Sequence, residues 1–333
     1  MESQTFRALV AEESAPGQFT RHLRSRRTDE LPEGALLVRV QFSSLNYKDA
    51  LSAMGRPGVT KRYPHTPGID AAGEVVSCAD GAFNPGDQVI VTGYDLGMNT
   101  PGGFGQFIRV PSSWGVKLPK GLTAKQSMIL GTAGLTAGLS LHRLLASGMT
   151  PRRGEMVVTG ATGGVGSIAV ELLSRAGFEV VAVTGKQSET GFLRHLGAKE
   201  VVGRTEILEG AQRPLMTERW GGAVDVVGGE ILSAVIRSTR YGGVVTCCGL
   251  AGSAELPLNV YPFILRGITL AGIDSAQCPA KLREEVWQKL AGPWKPHEIL
   301  ESASSCTLES LEEKFPAILD GKLRGRTVVQ LPG

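Results

Sequence analysis

The sequence predicts an α/β chain of two parts, a β-rich unit and a doubly wound parallel sheet. Three observations carry that expectation. Residues 5–110 alternate short β-like runs with Gly, Pro and Asn breaks, the pattern of a barrel-like all-β unit. From residue 155 the pattern becomes strand, helix, strand with Val-rich strands, as in a parallel sheet covered on both faces. At 157–169, VVTGATGGVGSIA joins a buried strand to a helix through a glycine turn.

In the first part, residues 6–11, 35–43, 73–78, 88–93 and 104–110 read as strands. Gly34, Asn84-Pro85-Gly86-Asp87 and Gly102-Gly103 separate them. A helix starts near Asn46 and carries Tyr47, Ala50 and Leu51. Residues 122–145 read as helical, opened by a Thr123–Gln126 capping box and interrupted near 131–134. Strands follow at 156–159, 179–184, 200–202, 223–227, 244–249 and 268–273, with helices at 166–176, 189–196 and 231–239. The tail offers helices at 281–290 and 308–318 and a last strand at 326–331. That last strand reads as a β segment and not as another α/β unit, so the end of the chain is expected to return to the β-rich unit.

The totals set limits. The length of 333 residues suits about two domains. Apolar residues at 42% and charged residues at 20% fit a soluble globular protein, and a net charge of +3 gives no reason to propose a nucleic-acid or membrane surface. Five cysteines without a C-x-x-C suggest neither a disulfide framework nor a zinc knot. The opening MESQTFRALVAEE has acidic residues and no apolar core, so it does not read as a signal peptide. No uninterrupted apolar run reaches the ~18 residues of a membrane span, which makes a reducing cytoplasm the expected setting.

The glycine stretch points to a dinucleotide. Side chains at Gly163 and Gly164 would keep a pyrophosphate from the N–H groups of the helix that follows. Its spacing, Gly160-x-x-Gly163-x-x-Gly166, departs from the strict G-x-G-x-x-G form. An NAD-selective site ends its second strand with an acid for the ribose 2′-hydroxyl. Here that strand ends Thr184-Gly185-Lys186, and no acid appears until Glu189. Lys186 and Arg204, at two successive strand ends, suit a 2′-phosphate, with Thr184 as a hydroxyl donor; the expected cofactor is NADPH. The alternative is that both cations are solvated surface charges.

Eight motifs in order carry a resemblance over essentially the whole chain: SSLNYKDA at 43–50, PGID at 67–70, GTAG at 131–134, VTGATGGVG at 158–166, CGLAG at 248–252, PFILR at 262–266, GIDS at 272–275 and GRT at 325–327. The chain resembles the zinc-free medium-chain dehydrogenases/reductases, in particular the bacterial acrylyl-CoA reductase and quinone oxidoreductase group. The resemblance implies a GroES-like catalytic domain over 1–124, completed by 277–333, and a Rossmann NADPH-binding domain over 125–276. It implies reduction of an activated carbon–carbon double bond, most simply acrylyl-CoA to propionyl-CoA. It also implies cofactor contacts from Tyr47, Thr162, Gly163, Gly164, Val165, Leu250, Ile264 and Ser275, and from Thr184, Gly185, Lys186 and Arg204 at the phosphate. For Leu250 and Ile264 ordinary core packing stays open. Zinc dehydrogenases need Cys or His where this chain has Asn46, Ile69 and Thr132, so no metal is expected.

Without a Lewis acid to polarise a carbonyl, hydride transfer to a conjugated double bond is the easier chemistry. Donors near residue 47 would meet the developing oxyanion. Tyr47 and Asn46 are the candidates, with Asp49 capping or pairing locally. Arg56, Lys61 and Arg62 form a basic group suited to CoA phosphates or simply to solvent. The loop DLGMNTPGG at 95–103 lacks the bulkier residues common in relatives, so the acceptor could be another enoyl-CoA, an enone or a quinone. A non-enzymic NADPH-binding role also stays open. An apolar edge strand over 264–274 predicts a homodimer joined edge to edge.

Overall fold

Alternation of apolar and polar residues in the first third of the chain produces antiparallel pairing. The computed structural model describes residues 3–332. Its contacts separate two units, Met1–Thr132 with Ala276–Ala291 and Ser302–Gly333, and Ala133–Ser275 with Gly292–Glu301.

The first unit opens with a two-stranded antiparallel ribbon, β1 (Thr5–Ala15) and β2 (Gln18–Arg27). The sequence reading missed β2, whose QFTRHLRSRR carries no buried face. Its arginines instead meet acids, Arg24 on Glu12 and Arg26 on Glu30. Next come β3 (Leu36–Ser44), α1 (Tyr47–Ala53), β4 (Asp70–Cys78), β5 (Gln88–Thr92), β6 (Phe107–Val110) and β7 (Gly115–Lys117). Leu36, Val38 and Val40 of β3 point inward to pack with Val89, Val91, Phe104 and Phe315, while Arg39 points out.

Helix α2 (Ala124–Ala146) begins with the expected capping box. The Thr123 N–H donates to Gln126 Oε1 and the Gln126 N–H to Thr123 Oγ1, both at 3.1 Å. Gly131 breaks it at φ 52°, ψ −152°, and a Cβ there would lie 2.4 Å from Asp70 Oδ2. By length and composition α2 is apolar enough to cross a membrane. Its most apolar window is 78% buried within the protein, as for a core helix.

The second unit is a six-stranded sheet in which the strand pairings are parallel. Its elements are β8 (Met156–Val158), α3 (Gly164–Arg175), β9 (Val180–Thr184), α4 (Thr190–His195), β10 (Glu200–Gly203), α5 (Arg204–Leu208), β11 (Trp220–Asp225), α6 (Gly229–Ser238), β12 (Thr239–Cys247), α7 (Tyr261–Arg266) and β13 (Thr269–Gly272). The strand order is β10-β9-β8-β11-β12-β13. The first strand, β8, therefore lies between β9 and β11, and the winding reverses there. Val157, Val181, Val183 and Ala223 pack with Ile231 and Val235 of α6. The expected edge strand over 264–274 needs correction. Pro262 starts a helix, Gly267 at φ 59° ends it, and only Thr269–Gly272 pairs with β12.

The chain continues through α8 (Ala280–Ala291), α9 (Glu298–Ser302), β14 (Ser304–Thr307), α10 (Lys314–Leu319) and β15 (Thr327–Gln330). As expected, β15 returns to the first unit, antiparallel to β3 with Val329 opposite Ser43. The helix read over 308–318 is instead a turn at 308–310, closed by Ser310 on Thr307, and the short α10. The segment 292–301 groups with the second unit, where the sequence reading had it in the first. Buried Glu171 of α3 draws it there by accepting the N–H groups of His297 (2.5 Å), Glu298 (3.1 Å) and Ile299 (2.9 Å).

Candidate functional site

In the second unit three of the four glycines of the turn serve three purposes. Gly160 takes φ 58°, a conformation that costs a side chain energy. Gly166 packs on the turn, where a Cβ would lie 2.3 Å from Gly160 O. At Gly163 a Cβ would meet only Gly160 O, at 3.3 Å, so its outer face is open. Gly163 is the N-cap of α3, and no side chain caps that helix. Gly164 and Val165, its first residues, are partly exposed, and Thr162 is buried beneath. An uncapped N-terminus behind an open glycine fits an anionic diphosphate.

This turn stands where the winding reverses, the place at which open α/β sheets bind ligands. Thr159, just past β8, donates its hydroxyl to Asp225 at the end of β11 (2.6 Å) and accepts the Val226 N–H (3.1 Å). Asp225 also accepts the Gly228 N–H at 2.8 Å. Burial raises the Asp225 carboxyl, and these hydrogen bonds oppose the rise. Sequence reasoning missed this pair; a lone acid closing the apolar strand that ends Ala-Val-Asp was the available signal. Nearby, burial first and Asp225 second push Cys248 up to about 12, so it remains a thiol.

At the far end of β9 and β10, Thr184 is buried and its Oγ1 accepts the Lys186 N–H at 2.9 Å. The Arg204 guanidinium carbon lies 3.1 Å from where a Cβ on exposed Gly185 would sit. Lys186 is pulled below its ordinary value by partial burial, with Glu189 opposing and Arg204 adding repulsion. Two cations held together in this way suit a dianion such as a 2′-phosphate. Glu200 and Glu206, the acids of the adjoining elements, pair with Arg219 instead.

Leu250 and Ile264 are 66% and 71% exposed, which removes core packing as their explanation. Ser275 is partly buried, and its Oγ accepts the Thr136 hydroxyl at 2.8 Å.

In the first unit Tyr47 opens α1 and is 46% exposed, whereas its neighbours Asn46 and Asp49 are buried. Asn46 does not face outward as a donor. Its Nδ2 donates to Asp70 Oδ2 (2.8 Å) and weakly to Ser44 O (3.4 Å), and its Oδ1 accepts from Arg326 Nη1 (3.2 Å). Its backbone N–H donates to Asp49 Oδ2 at 2.7 Å, and Asp49 Oδ1 accepts the Ile69 N–H at 2.8 Å. Asp70 also accepts the Thr132 N–H and hydroxyl, the latter at 2.6 Å. The three positions expected to be free of metal ligands, 46, 69 and 132, are thus tied by two carboxylates. Among the described residues no group of three or more His, Cys, Asp or Glu is arranged to hold a metal. Arg56, Lys61 and Arg62 are all exposed, and the Lys61 N–H donates to Asn99 of the 95–103 loop at 3.1 Å.

Comparison with known proteins accords with this geometry. Residues 32–120 match the alcohol dehydrogenase GroES-like domain, and residues 164–292 match the zinc-binding dehydrogenase family. The "Putative quinone oxidoreductase YhfP" of Bacillus subtilis is 42% identical over 99% of this chain and 100% of its own. The chain belongs to the medium-chain dehydrogenase/reductase family. The acrylyl-CoA reductase AcuI of Ruegeria pomeroyi is 41% identical over 98% of this chain and 99% of that protein. The crystal structure of the yhdH oxidoreductase from Salmonella enterica in complex with NADP superposes with a TM-score of 0.95 at 40% identity, covering 98% of this chain and 100% of that one. The Bacillus yhfP structure, at TM-score 0.95 and 42% identity over 98% of this chain and 100% of that one, has NAD bound. Family members thus bind nicotinamide dinucleotides on this fold, which combines a GroES-like unit with a Rossmann sheet.

The buried acids give a pH signature. Burial, then Asp70, push the Asp49 carboxyl from 3.8 up to about 7, against the Ile69 and Asn46 N–H groups. A carboxyl raised in the native state binds its proton more tightly there than in the unfolded chain. Its contribution to stability is therefore full below about 3.8 and lost as pH rises through about 7. Urea unfolding of wild type and Asp49→Asn across this range should show the wild-type advantage shrinking with rising pH. A constant difference would contradict the assignment.

Proposed function

We infer that the chain is an NADPH-dependent, zinc-independent reductase of activated carbon–carbon double bonds, with an enoyl thioester such as acrylyl-CoA as acceptor. The observation that carries the acceptor is the end-to-end similarity to an acrylyl-CoA reductase. Equal similarity to YhfP supports a second reading, a quinone or enone reductase using the same hydride chemistry.

When bound, NADPH supplies a hydride to the β-carbon of the acceptor, and a proton at the α-carbon completes the saturation. The protein holds, orients and stabilises charge. Gly163, Gly164 and Val165 offer N–H groups to the diphosphate, with Thr162 beneath them. Gly185 lets Arg204 and Lys186 close on the 2′-phosphate, and Thr184 fixes the Lys186 backbone. Leu250, Ile264 and Ser275 lie towards the ring end in the family's arrangement. Tyr47 donates its hydroxyl to the thioester oxygen as that oxygen gains charge, a contribution of the oxyanion type. Arg56, Lys61 and Arg62 supply cations for CoA phosphates. The NAD in the Bacillus structure is met here by the charge at 186 and 204, which favours the phosphorylated cofactor.

The proposed domain assignment is a catalytic domain over 1–124, completed by 277–333 apart from 292–301, and a cofactor domain over 125–276 with which 292–301 groups. A second copy joins through the exposed edge of β13, beside the exposed Ile264 and Leu265 of α7. Five free cysteines suit a cytoplasmic setting.

Three measurements test this reading. NADPH oxidation with acrylyl-CoA, crotonyl-CoA and a quinone in parallel should favour the thioesters. Activity with the quinone alone selects the second reading, and binding of NADPH without any turnover selects a non-enzymic role. Lys186→Ala and Arg204→Ala should each raise the Kd for NADPH by roughly tenfold or more while leaving NADH unchanged; equal losses for both cofactors would refute the phosphate cradle. Light scattering at micromolar concentration should give about twice the 35.2 kDa chain mass, and a single-chain mass rules out the edge-to-edge pair.

A further inference from the structure

The Tyr47 ring is exposed, and among the described residues its side chain has no hydrogen-bond or ring partner. With no side chain holding the ring, what the fold fixes is the backbone from which it projects, and that backbone is set by Asn46. The residue is the N-cap of α1, in extended conformation at φ −124°, ψ 161°. It is held at three points, by Asp49 at its N–H, by Asp70 at its Nδ2 and by Arg326 at its Oδ1. Of these, Asp70 commands the most. Its carboxylate gathers Ser44 Oγ (2.5 Å) from the end of β3, Asn46 from the start of α1 and Thr132 from beyond the break in α2. All four of these side chains are buried or partly buried, so the donors have no water to turn to if the acceptor goes.

We propose that Asp70 is the positioning residue for Tyr47, acting through the Asn46 side chain. The inference rests on the reading of Tyr47 as the donor to the acceptor oxygen. Asp70 itself touches neither acceptor nor cofactor. It fixes the amide of Asn46, the amide fixes the first turn of α1, and the first turn aims the phenol. In this scaffold a carboxylate takes up the ordering of positions 46 and 132. Gly131 makes the arrangement possible, because any side chain there would collide with Asp70 Oδ2, Ser44 Oγ at 2.6 Å and Arg326 Nη2 at 3.1 Å.

The test is a double-mutant cycle between Asp70→Asn and Tyr47→Phe in the full-length protein. Asp70→Asn should lower kcat on the order of 10–100-fold when Tyr47 is present, the scale of an ångström-size misplacement. In the Tyr47→Phe background it should cost less than about twofold, because groups acting as one unit are not additive. The Kd for NADPH, read by fluorescence titration, should stay within about twofold of wild type, consistent with a local change. In cofactor-free protein, hydrogen exchange in the 45–53 segment should quicken. Equal fold losses in both backgrounds would overturn the proposal, as would wild-type kcat in Asp70→Asn. If Tyr47→Phe alone turns over normally, the donor reading of Tyr47 has failed, and this inference falls with it by a separate route. Should Asp70→Asn not fold, Asn46→Ser carries the same cycle. It keeps an N-cap and leaves Ser44 and Thr132 on Asp70, but is too short to reach that carboxylate.

Discussion

The first unit depends on one buried carboxylate. Asp70 sits at the head of β4 and binds groups from three other segments of the chain. A buried anion is tolerated only when its oxygens are filled and a counter-charge is near. Arg326 supplies that charge from the far end of the sequence, itself fully buried and anchored on Ile129 O at 2.7 Å. Burial lowers the Arg326 guanidinium, and Asp70 and Asp49 hold it up. This gives a physical reason for the split unit. The chain returns after the parallel sheet, and the residue before β15 delivers the cation that the N-terminal part lacks.

The second unit answers to a different constraint, the reversal of winding at β8. Three glycines, a buried Thr159–Asp225 pair and an uncapped helix meet there. Each is explained by the need to bring backbone N–H groups to an anion without side chains in between. In the proposed reading, the cationic end at Lys186 and Arg204 adds selectivity to a glycine turn that alone would accept either nicotinamide dinucleotide. The two units thus divide the chemistry. In the proposed reading the second unit holds and selects the cofactor, and the first presents the exposed Tyr47 phenol beside buried polar groups.

Much of this was legible in the sequence where local signals agreed. The Val-rich strands, the glycine turn, the Thr123–Gln126 cap and the returning last strand all have near neighbours in sequence that explain them. Features built from distant partners were not legible. Asp70 and Arg326 are 256 positions apart; Asp70 looks like a lone acid before an apolar run, and Arg326 like one more cation of the basic stretch KLRGR at 322–326. Glu171 reads as one polar residue on a helix, yet it decides where 292–301 belongs. The strand β2 escaped because an exposed ribbon has no apolar face to announce it. Residues 264–266 read as the start of an edge strand because Ile and Leu dominate, while Pro262 and Gly267 fix a helix there. At the site, Asn46 reads by position as a donor beside Tyr47, and only its hydrogen bonds to Asp70 and Arg326 show that its amide is turned inward.

The central claim is that hydride arrives at the β-carbon of an enoyl thioester while charge collects on its oxygen. It is tested most directly by carrying deuterium on the transferring position of NADPH and following the product by NMR. The account predicts deuterium at the β-carbon of propionyl-CoA formed from acrylyl-CoA, with the α-carbon proton drawn from solvent. Label at the carbonyl carbon, or a reduced product with no label, would contradict it.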